Sequence, residues 1–298
     1  MSKLDCLTLV EQAQSEIFGP KRAAWLERLE QEYDSLRATL GQLLDSGEAE
    51  QGLRLVAGLR EFWLGTGRID EGRDWLRAFL ALPEAKPQTA IRARALDVAG
   101  ALAFWQSDRD MADALMHEAL AIRRELDDKQ GIALSLIHIG QYEWMFESNY
   151  TVARTLFEES LAICKELGGE TDMAYPPHQN LGHLAVEQGD FRRAQSLLRR
   201  SLLTLRDKED IWGINFALDG LAGLAAGQGQ PEKALRLAGA SETLRESADI
   251  RLPPVWQARV ERLLEPAREM LDEARCSAAW AEGRAMNLEQ AVAFALDE

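Results

Sequence analysis

Apolar and polar positions along this chain return on a long, even period. Gly72, Ala112, Ala153, Ala194 and Ala234 stand 40, 41, 41 and 40 residues apart. Five positions before each comes a turn residue: Gly67, Ser107, Ser148, Gly189 and Gly229. Three and four positions after each come bulky apolar pairs, Trp75-Leu76, Leu115-Met116, Leu156-Phe157 and Leu197-Leu198, with a weaker Leu237-Ala238. Eight positions after stand Leu80, Leu120, Leu161 and Leu202, and the fifth copy departs with Glu242. A period of this size predicts stacked helical hairpins, each burying its apolar face only against its neighbours.

The finer pattern predicts the elements. A first helix spans 5–18 and stops at Gly19-Pro20. From Lys21 to about Asp45 one long amphipathic helix carries Trp25, Leu29, Leu36, Leu40 and Leu43 on a single stripe. A helix of about 48–66 pairs with one of about 70–81, and Pro83 and Pro87 bracket a linker. Regular hairpins follow at 88–127, 130–167, 175–207 and 210–248. Asp108, Asn149 and Asp190 are suited to cap second helices, and Pro176-Pro177 falls in a first helical turn, where proline is tolerated. Past Pro253-Pro254 the period is lost. A helix to about Ala274 and two short ones then read as a polar cap, with Asn287 and Gln290 capping the last. The expected fold is all-α, a right-handed superhelical solenoid of about five long hairpins. It forms one domain over 1–298: an N-terminal helical cap at 1–47, five hairpins at 48–250 and a C-terminal helical cap at 251–298.

Composition narrows the function. At 46% hydrophobic and 28% charged the chain is a folded one. Its net charge of −15 is repelled by phosphate backbones, and no cluster of Lys and Arg offsets it, which argues against direct nucleic-acid binding. Cys6, Cys164 and Cys276 are odd in number and far apart; they fit buried or idle thiols in a reducing cytoplasm better than a disulfide framework. No stretch approaches the ~20 apolar residues that span a bilayer, and no basic segment leads into an apolar run near the N-terminus. The expected location is the cytoplasm, without a membrane partner.

Each hairpin resembles the tetratricopeptide repeat: a small residue within the first helix (Gly100, Gly182), an aromatic before the second (Tyr150, Phe191), then the small residue that opens it. The period exceeds that family's 34 residues by about seven, and Arg124, Lys165 and Arg206 stand where its terminating proline falls. The second helices are therefore expected to run on, by ~10 Å in all at 1.5 Å per residue. The ends resemble the helical region of bacterial signal-transduction ATPases, including LuxR-type and maltose-activator-like transcriptional regulators. Trp25-Leu26-Glu27-Arg28-Leu29-Glu30, Tyr33-Asp34-Ser35-Leu36-Arg37 and Glu71-Gly72-Arg73 with Trp75-Leu76 carry that likeness at the front. Trp280-Ala281-Glu282-Gly283-Arg284 with Leu288, Ala291 and Ala295-Leu296 carries it at the back. The resemblance implies a sensor or interaction region that holds a partner or a small inducer and regulates an ATPase. The phosphate-cradling Gly-x-x-x-x-Gly-Lys-Ser/Thr loop and a DNA-reading module are absent from the sequence.

In that repeat the first helix of each hairpin lines the concave face. Spacing then places Arg54, Glu61, Arg94, Asp97, Phe104, Ser135, His138, Tyr142, Met145, Gln179, His183, Phe216 and Asp219 in the groove. Tyr142 and His183 are equivalent in successive repeats, as are His138 and Gln179. The set reads either as a polar-aromatic recognition patch for a protein, peptide or small-molecule inducer, or as a solvated helix face that carries histidine and tyrosine. As a patch, Tyr142 and His183 would be dispensable for stability. Asp97 and Asp219 would repel a carboxylate, which argues against a clamp for peptide C-termini. No metal site is expected, because His138 and His183 lack further ligands, and no catalytic constellation or cofactor motif is present. His178 reads as structural, His117 as surface, the tryptophans as packing, and Gly227–Lys233 as an inter-helix turn. The sequence therefore predicts a non-catalytic binding scaffold, either within a regulator or as a free-standing adaptor, with homo-oligomer formation left open.

Overall fold

The computed structural model describes residues 2–168 and 175–297. All regular structure among the described residues is helical, and the chain divides into two compact units, Met1–Tyr142 and Glu143–Glu298.

In the first unit, α1 (Lys3–Glu16) opens with a capping box in which Ser2 and Asp5 exchange bonds with each other's backbone amides. The single helix expected over 21–45 is two, α2 (Arg22–Gln31) and α3 (Tyr33–Asp45), because Glu32 leaves helical geometry at φ −95°, ψ 5°. The bend seats Tyr33 on Phe62 and Trp63, with ring centroids 5.1 and 6.0 Å away. The helix expected over 48–66 is likewise two, α4 (Ala49–Gly58) and α5 (Arg60–Thr66), broken at Leu59. There the Trp63 indole N–H donates to the Val56 carbonyl at 3.0 Å, supplying a partner across the break. Then come α6 (Ile69–Leu80), α7 (Ala90–Trp105), α8 (Arg109–Glu125) and α9 (Lys129–Met145), whose last residues belong to the second unit.

The second unit continues with α10 (Tyr150–Glu166), α11 (Tyr175–Glu187), α12 (Phe191–Asp207), α13 (Ile211–Gly227) and α14 (Pro231–Ser247). It ends with α15 (Pro254–Glu269), α16 (Glu273–Arg284) and α17 (Leu288–Leu296). The helix expected to reach Ala274 stops at Glu269, because a new cap forms: Asp272 accepts the Arg275 amide at 2.8 Å and starts α16.

The repeating signals have a direct geometric cause. Gly67, Ser107, Ser148, Gly189 and Gly229 all adopt positive φ, between 52° and 75°, the left-handed conformation that ends a helix. At Ser107 the Schellman pair is complete: Asp108 N–H bonds Ala103 O and Ser107 N–H bonds Phe104 O. Ala112, Ala153, Ala194 and Ala234 are fully buried, where a larger side chain would push neighbouring helices apart. Asn149 and Asp190 cap their helices as expected, but the Asp108 carboxylate is taken by Arg73 instead and makes no cap bond. The extra length of the repeat is shared rather than carried by the second helices alone: α8, α10, α12 and α14 have 17 residues each, and so do α9 and α13.

Candidate functional site

The first helices of the hairpins differ from the second ones in kind. In α13 every residue from Gly213 to Ala226 is buried, so this helix has no solvent face. α7 is nearly the same, buried from Ala95 to Phe104. By contrast α12 buries only Ala194, Leu198, Ser201, Leu202 and Leu205, at the 3–4-residue spacing of a one-sided helix. A helix apolar all round is covered on all sides, and in the second unit the cover on α11 and α13 is α15.

Trp256 of α15 is the key side chain. It is 2% exposed and lies 4.5 Å from the Phe216 ring, 4.9 Å from His183 and 5.5 Å from Trp144, centroid to centroid. Its indole N–H donates to Asp219 Oδ2 at 3.1 Å, while Ser241 (2.6 Å) and Arg245 (3.0 Å) donate to Oδ1. Asp219 is therefore a buried carboxylate with both oxygens bonded, which is what lets a charge sit 2% exposed. One turn along α15, Arg259 donates through Nε and Nη2 to both oxygens of Glu187, and its guanidinium lies 4.6 Å over the Trp144 ring. Trp144 Nε1 (3.2 Å) and the Tyr150 hydroxyl (3.0 Å) also donate to Glu187. Burial, together with the Glu187 charge beside it, raises the Tyr150 hydroxyl pKa.

His183 is enclosed by this cluster at 1% exposure. Its Nε2 lies 2.9 Å from the Phe216 carbonyl, so Nε2 carries the proton and the buried Nδ1 is left without a hydrogen-bond partner. Burial pushes its pKa down to about 3, and the imidazole is neutral at any physiological pH. Gln179 is 3% exposed and gives its amide to the Gly213 carbonyl at 2.7 Å. The predicted residues Gln179, His183, Phe216 and Asp219 thus converge, but as an internal network beneath α15.

In the first unit, Asp97 (3% exposed) forms a close ion pair with Arg123, itself 4% exposed, and stands 3.5 Å from His138 Nδ1. Ser135 is fully buried and accepts from Arg123 Nη1 at 2.7 Å. Tyr142 is 7% exposed. His138 keeps a partial outlet to solvent and Arg94 is exposed. Of the other positions placed in the groove, Glu61 is buried in an ion pair with Arg22 at 3.0 Å, whereas Arg54 is exposed and reaches Glu50 at 3.6 Å. Arg94, Asp97, Arg123 and His138 share the wall of one cavity of about 250 Å³, to which Arg60 and Glu61 also contribute. A count of first-helix offsets misses Arg60 and Arg123, because Arg123 lies on a second helix, α8, and Arg60 stands on α5 one position off the stripe that carries Glu61. Their signal is only an arginine placed on an otherwise apolar turn.

Among the other residues singled out by sequence, His178 is buried and His117 exposed, and Trp63 and Trp144 are fully buried. Cys6 and Cys164 are buried thiols, Cys276 is half-buried, and none is disulfide-bonded. No helix among the described residues is long and apolar enough to cross a membrane, and no group of three potential metal ligands gathers among them.

Residues 91–166 match the family model of the tetratricopeptide repeat. Those residues hold α7 to α10, two of the hairpins whose turns and small residues are described above. Over 120 residues the chain is 29% identical to proteins named as putative HTH-type transcriptional regulators, Rv0890c of Mycobacterium tuberculosis and Mb0914c of Mycobacterium bovis. That stretch covers 38% of this chain and 14% of each relative, so the matched segment is a small fraction of their length. Among solved structures, BtubC (BKLC) from P. vanneervenii matches with a TM-score of 0.51 at 16% identity, over 85% of this chain and 94% of that one. At such identity the likeness is one of fold. A tetratricopeptide-type scaffold is suited to protein binding.

Proposed function

We propose that this chain is a non-catalytic binding scaffold, the sensor or protein-interaction region of a signal-transduction ATPase-type transcriptional regulator in the cytoplasm. The observation that carries the regulator reading is the 120-residue likeness to the mycobacterial HTH-type regulators, which agrees with the resemblance of Trp25–Arg37 and Trp280–Arg284 at the chain's two ends. The repeat itself supports the scaffold reading, since stacked hairpins form a rigid array whose remaining exposed positions can display side chains. In this reading the binding face is the subset of the predicted residues that reaches solvent, Arg94 and His138, backed by Asp97 and Ser135. Tyr142 supports it from within α9, and Gln179, His183, Phe216 and Asp219 serve by holding α15 in place.

The test is affinity capture from bacterial lysate with the wild-type chain and with Arg94→Glu/His138→Glu, read by mass spectrometry. The expected capture is a protein bearing a nucleotide-binding or DNA-binding module, lost in the variant. Partners without such modules, combined with coding DNA on either side that encodes neither module, would favour a free-standing adaptor. Identical captures by both proteins would remove Arg94 and His138 from the binding face.

A further inference from the structure

The cavity of about 250 Å³ in the first unit is built by residues from α1, α2, α4, α5, α7, α8 and α9. Its floor is apolar, with Ala13, Ile17, Ala57 and Val98 among the lining residues. Its charges do not cancel. Glu61 is bonded by Arg22 at 3.0 Å, with both side chains buried. Asp97 is paired closely with Arg123, also buried. Those two pairs consume both carboxylates of the lining and leave Arg60 and Arg94.

Arg60 reaches no nearer than 3.7 Å to Glu61, and its Nε is buried with no hydrogen-bond partner. Arg94 donates to the neutral Gln14 amide oxygen at 2.5 Å, and among the described residues no carboxylate lies within 4.0 Å of it. Partial desolvation of its guanidinium against the cavity wall, together with the Arg123, Arg60 and Arg54 cations nearby, presses its pKa below the usual arginine range. His138 Nδ1, 3.5 Å from Asp97 Oδ1, is a further buried polar atom without a hydrogen-bond partner, and so are both Asp97 oxygens despite the ion pair with Arg123. A buried donor with no acceptor is costly, and two cations with spare donors at the mouth of an apolar hollow are what an anion would complete.

We propose that this cavity binds a small organic carboxylate with an apolar body, the carboxylate taken by Arg60 and Arg94 and the body laid on the Ala13–Val98 floor. The proposal deepens the scaffold reading, since it names what the scaffold would sense. The size fits: a cavity of about 250 Å³ has room for a short aryl or branched aliphatic acid. The charge fits as well. Glu61 and Asp97 stand in the same wall and oppose a second negative charge, which favours a monocarboxylate over phosphate. The repulsion expected from Asp97 on sequence grounds is reduced by the Arg123 cation but not removed, so one negative charge is tolerated where a second is opposed. The in-plane guanidinium fork suits a carboxylate better than a lysine would.

The experiment is isothermal titration calorimetry of the full chain with 3-phenylpropionate and 4-methylpentanoate, with 3-phenylpropanamide as the uncharged isostere, and with inorganic phosphate. Wild type, Arg94→Gln and Arg60→Gln are compared, and circular dichroism melting establishes that each is folded. Arg94 is exposed, so its variant keeps the packing intact even if Arg60→Gln loses stability. The expected result is saturable binding of at least one acid, weakened about ten- to a hundredfold by amide replacement or by loss of Arg94, the effect of one charge-assisted bond. Absence of binding by both acids at millimolar concentration would overturn the proposal. So would equal affinity for acid and amide, affinity unchanged in Arg94→Gln, or phosphate binding more tightly than either acid. Acid binding with no partner captured from lysate would fault the scaffold reading and leave this site standing; the reverse pattern would fault the site alone.

Discussion

Removing Trp256 should detach the helix that carries it. Its side chain is 2% exposed and packed among Trp144, His183 and Phe216. Burying roughly 200 Å² of aromatic surface at about 25 cal/mol per Å² gives ~5 kcal/mol, an upper figure because an unfolded chain already hides some of that area. Large-to-small aromatic replacements in cores cost about 3–5 kcal/mol, so Trp256→Ala is expected to cost about 4. Trp256→Phe separates the two contributions. It keeps most of the ring but removes the donor to Asp219 Oδ2, a loss of about 2 kcal/mol for a bond to a buried charge. Guanidinium unfolding followed by circular dichroism gives both numbers. Hydrogen exchange over 254–269 shows whether α15 opens before α11 and α13. If Trp256→Ala costs under about 1 kcal/mol and exchange in α15 is unchanged, the account of α15 as the cover of these helices is wrong.

Three further outcomes are expected. His183 takes no proton until about pH 3 when folded, whereas in the unfolded chain it protonates below about 6.5. Stability should therefore be lost as pH falls through that window, by up to ~1.4 kcal/mol per unit, and the pH slope of the midpoint should flatten in His183→Gln relative to wild type. Ala153→Asp puts a carboxylate at a fully buried helix contact and should cost more than about 3 kcal/mol, visible as a collapse of the melting transition. At Ser107 (φ 58°) and Ser148 (φ 52°) glycine relieves left-handed strain, so Ser107→Gly and Ser148→Gly should raise stability by about 0.5 kcal/mol each, whereas a loss would mean the hydroxyls matter more than the backbone.

The hairpins were legible because their signals are local. A left-handed residue five positions before a buried alanine is set by the backbone within one turn, whatever lies outside it. The bends at Glu32 and Leu59 were not legible, since the apolar stripe of the chain runs straight through both. What breaks the first is the fit of Tyr33 against Phe62 and Trp63, about thirty residues further along the chain. The candidate site divides in the same way. Repeat offsets correctly grouped His183, Phe216 and Asp219 on related helix positions, but could not say that α15 would lie over them. One signal was there to be read: Ile211–Gly227 is apolar on every side, so Asn215 and Asp219 had no solvent face to occupy. For such a helix, polar residues mark internal bonding rather than a groove. Arg60 was not legible, although Arg94 was: the carboxylates near Arg60 are claimed by Arg22 and Arg123, and pairing of that kind is settled only in three dimensions.

One contact near the C-terminal end bears on how such an array can change over evolutionary time. A Cβ placed on Gly239 of α14 would collide with the Trp280 carbonyl oxygen, and one on Gly283 of α16 would collide with the Arg236 carbonyl oxygen. These helices therefore meet backbone to backbone at a pair of glycines, and the side of α14 that meets α16 is already occupied. Duplication of a hairpin between α14 and α16 would separate those glycines and leave each facing a surface shaped for side chains. Growth or loss of repeats is thus directed to positions before α14, where one hairpin can substitute for another, while the closing pair is inherited as a fixed piece.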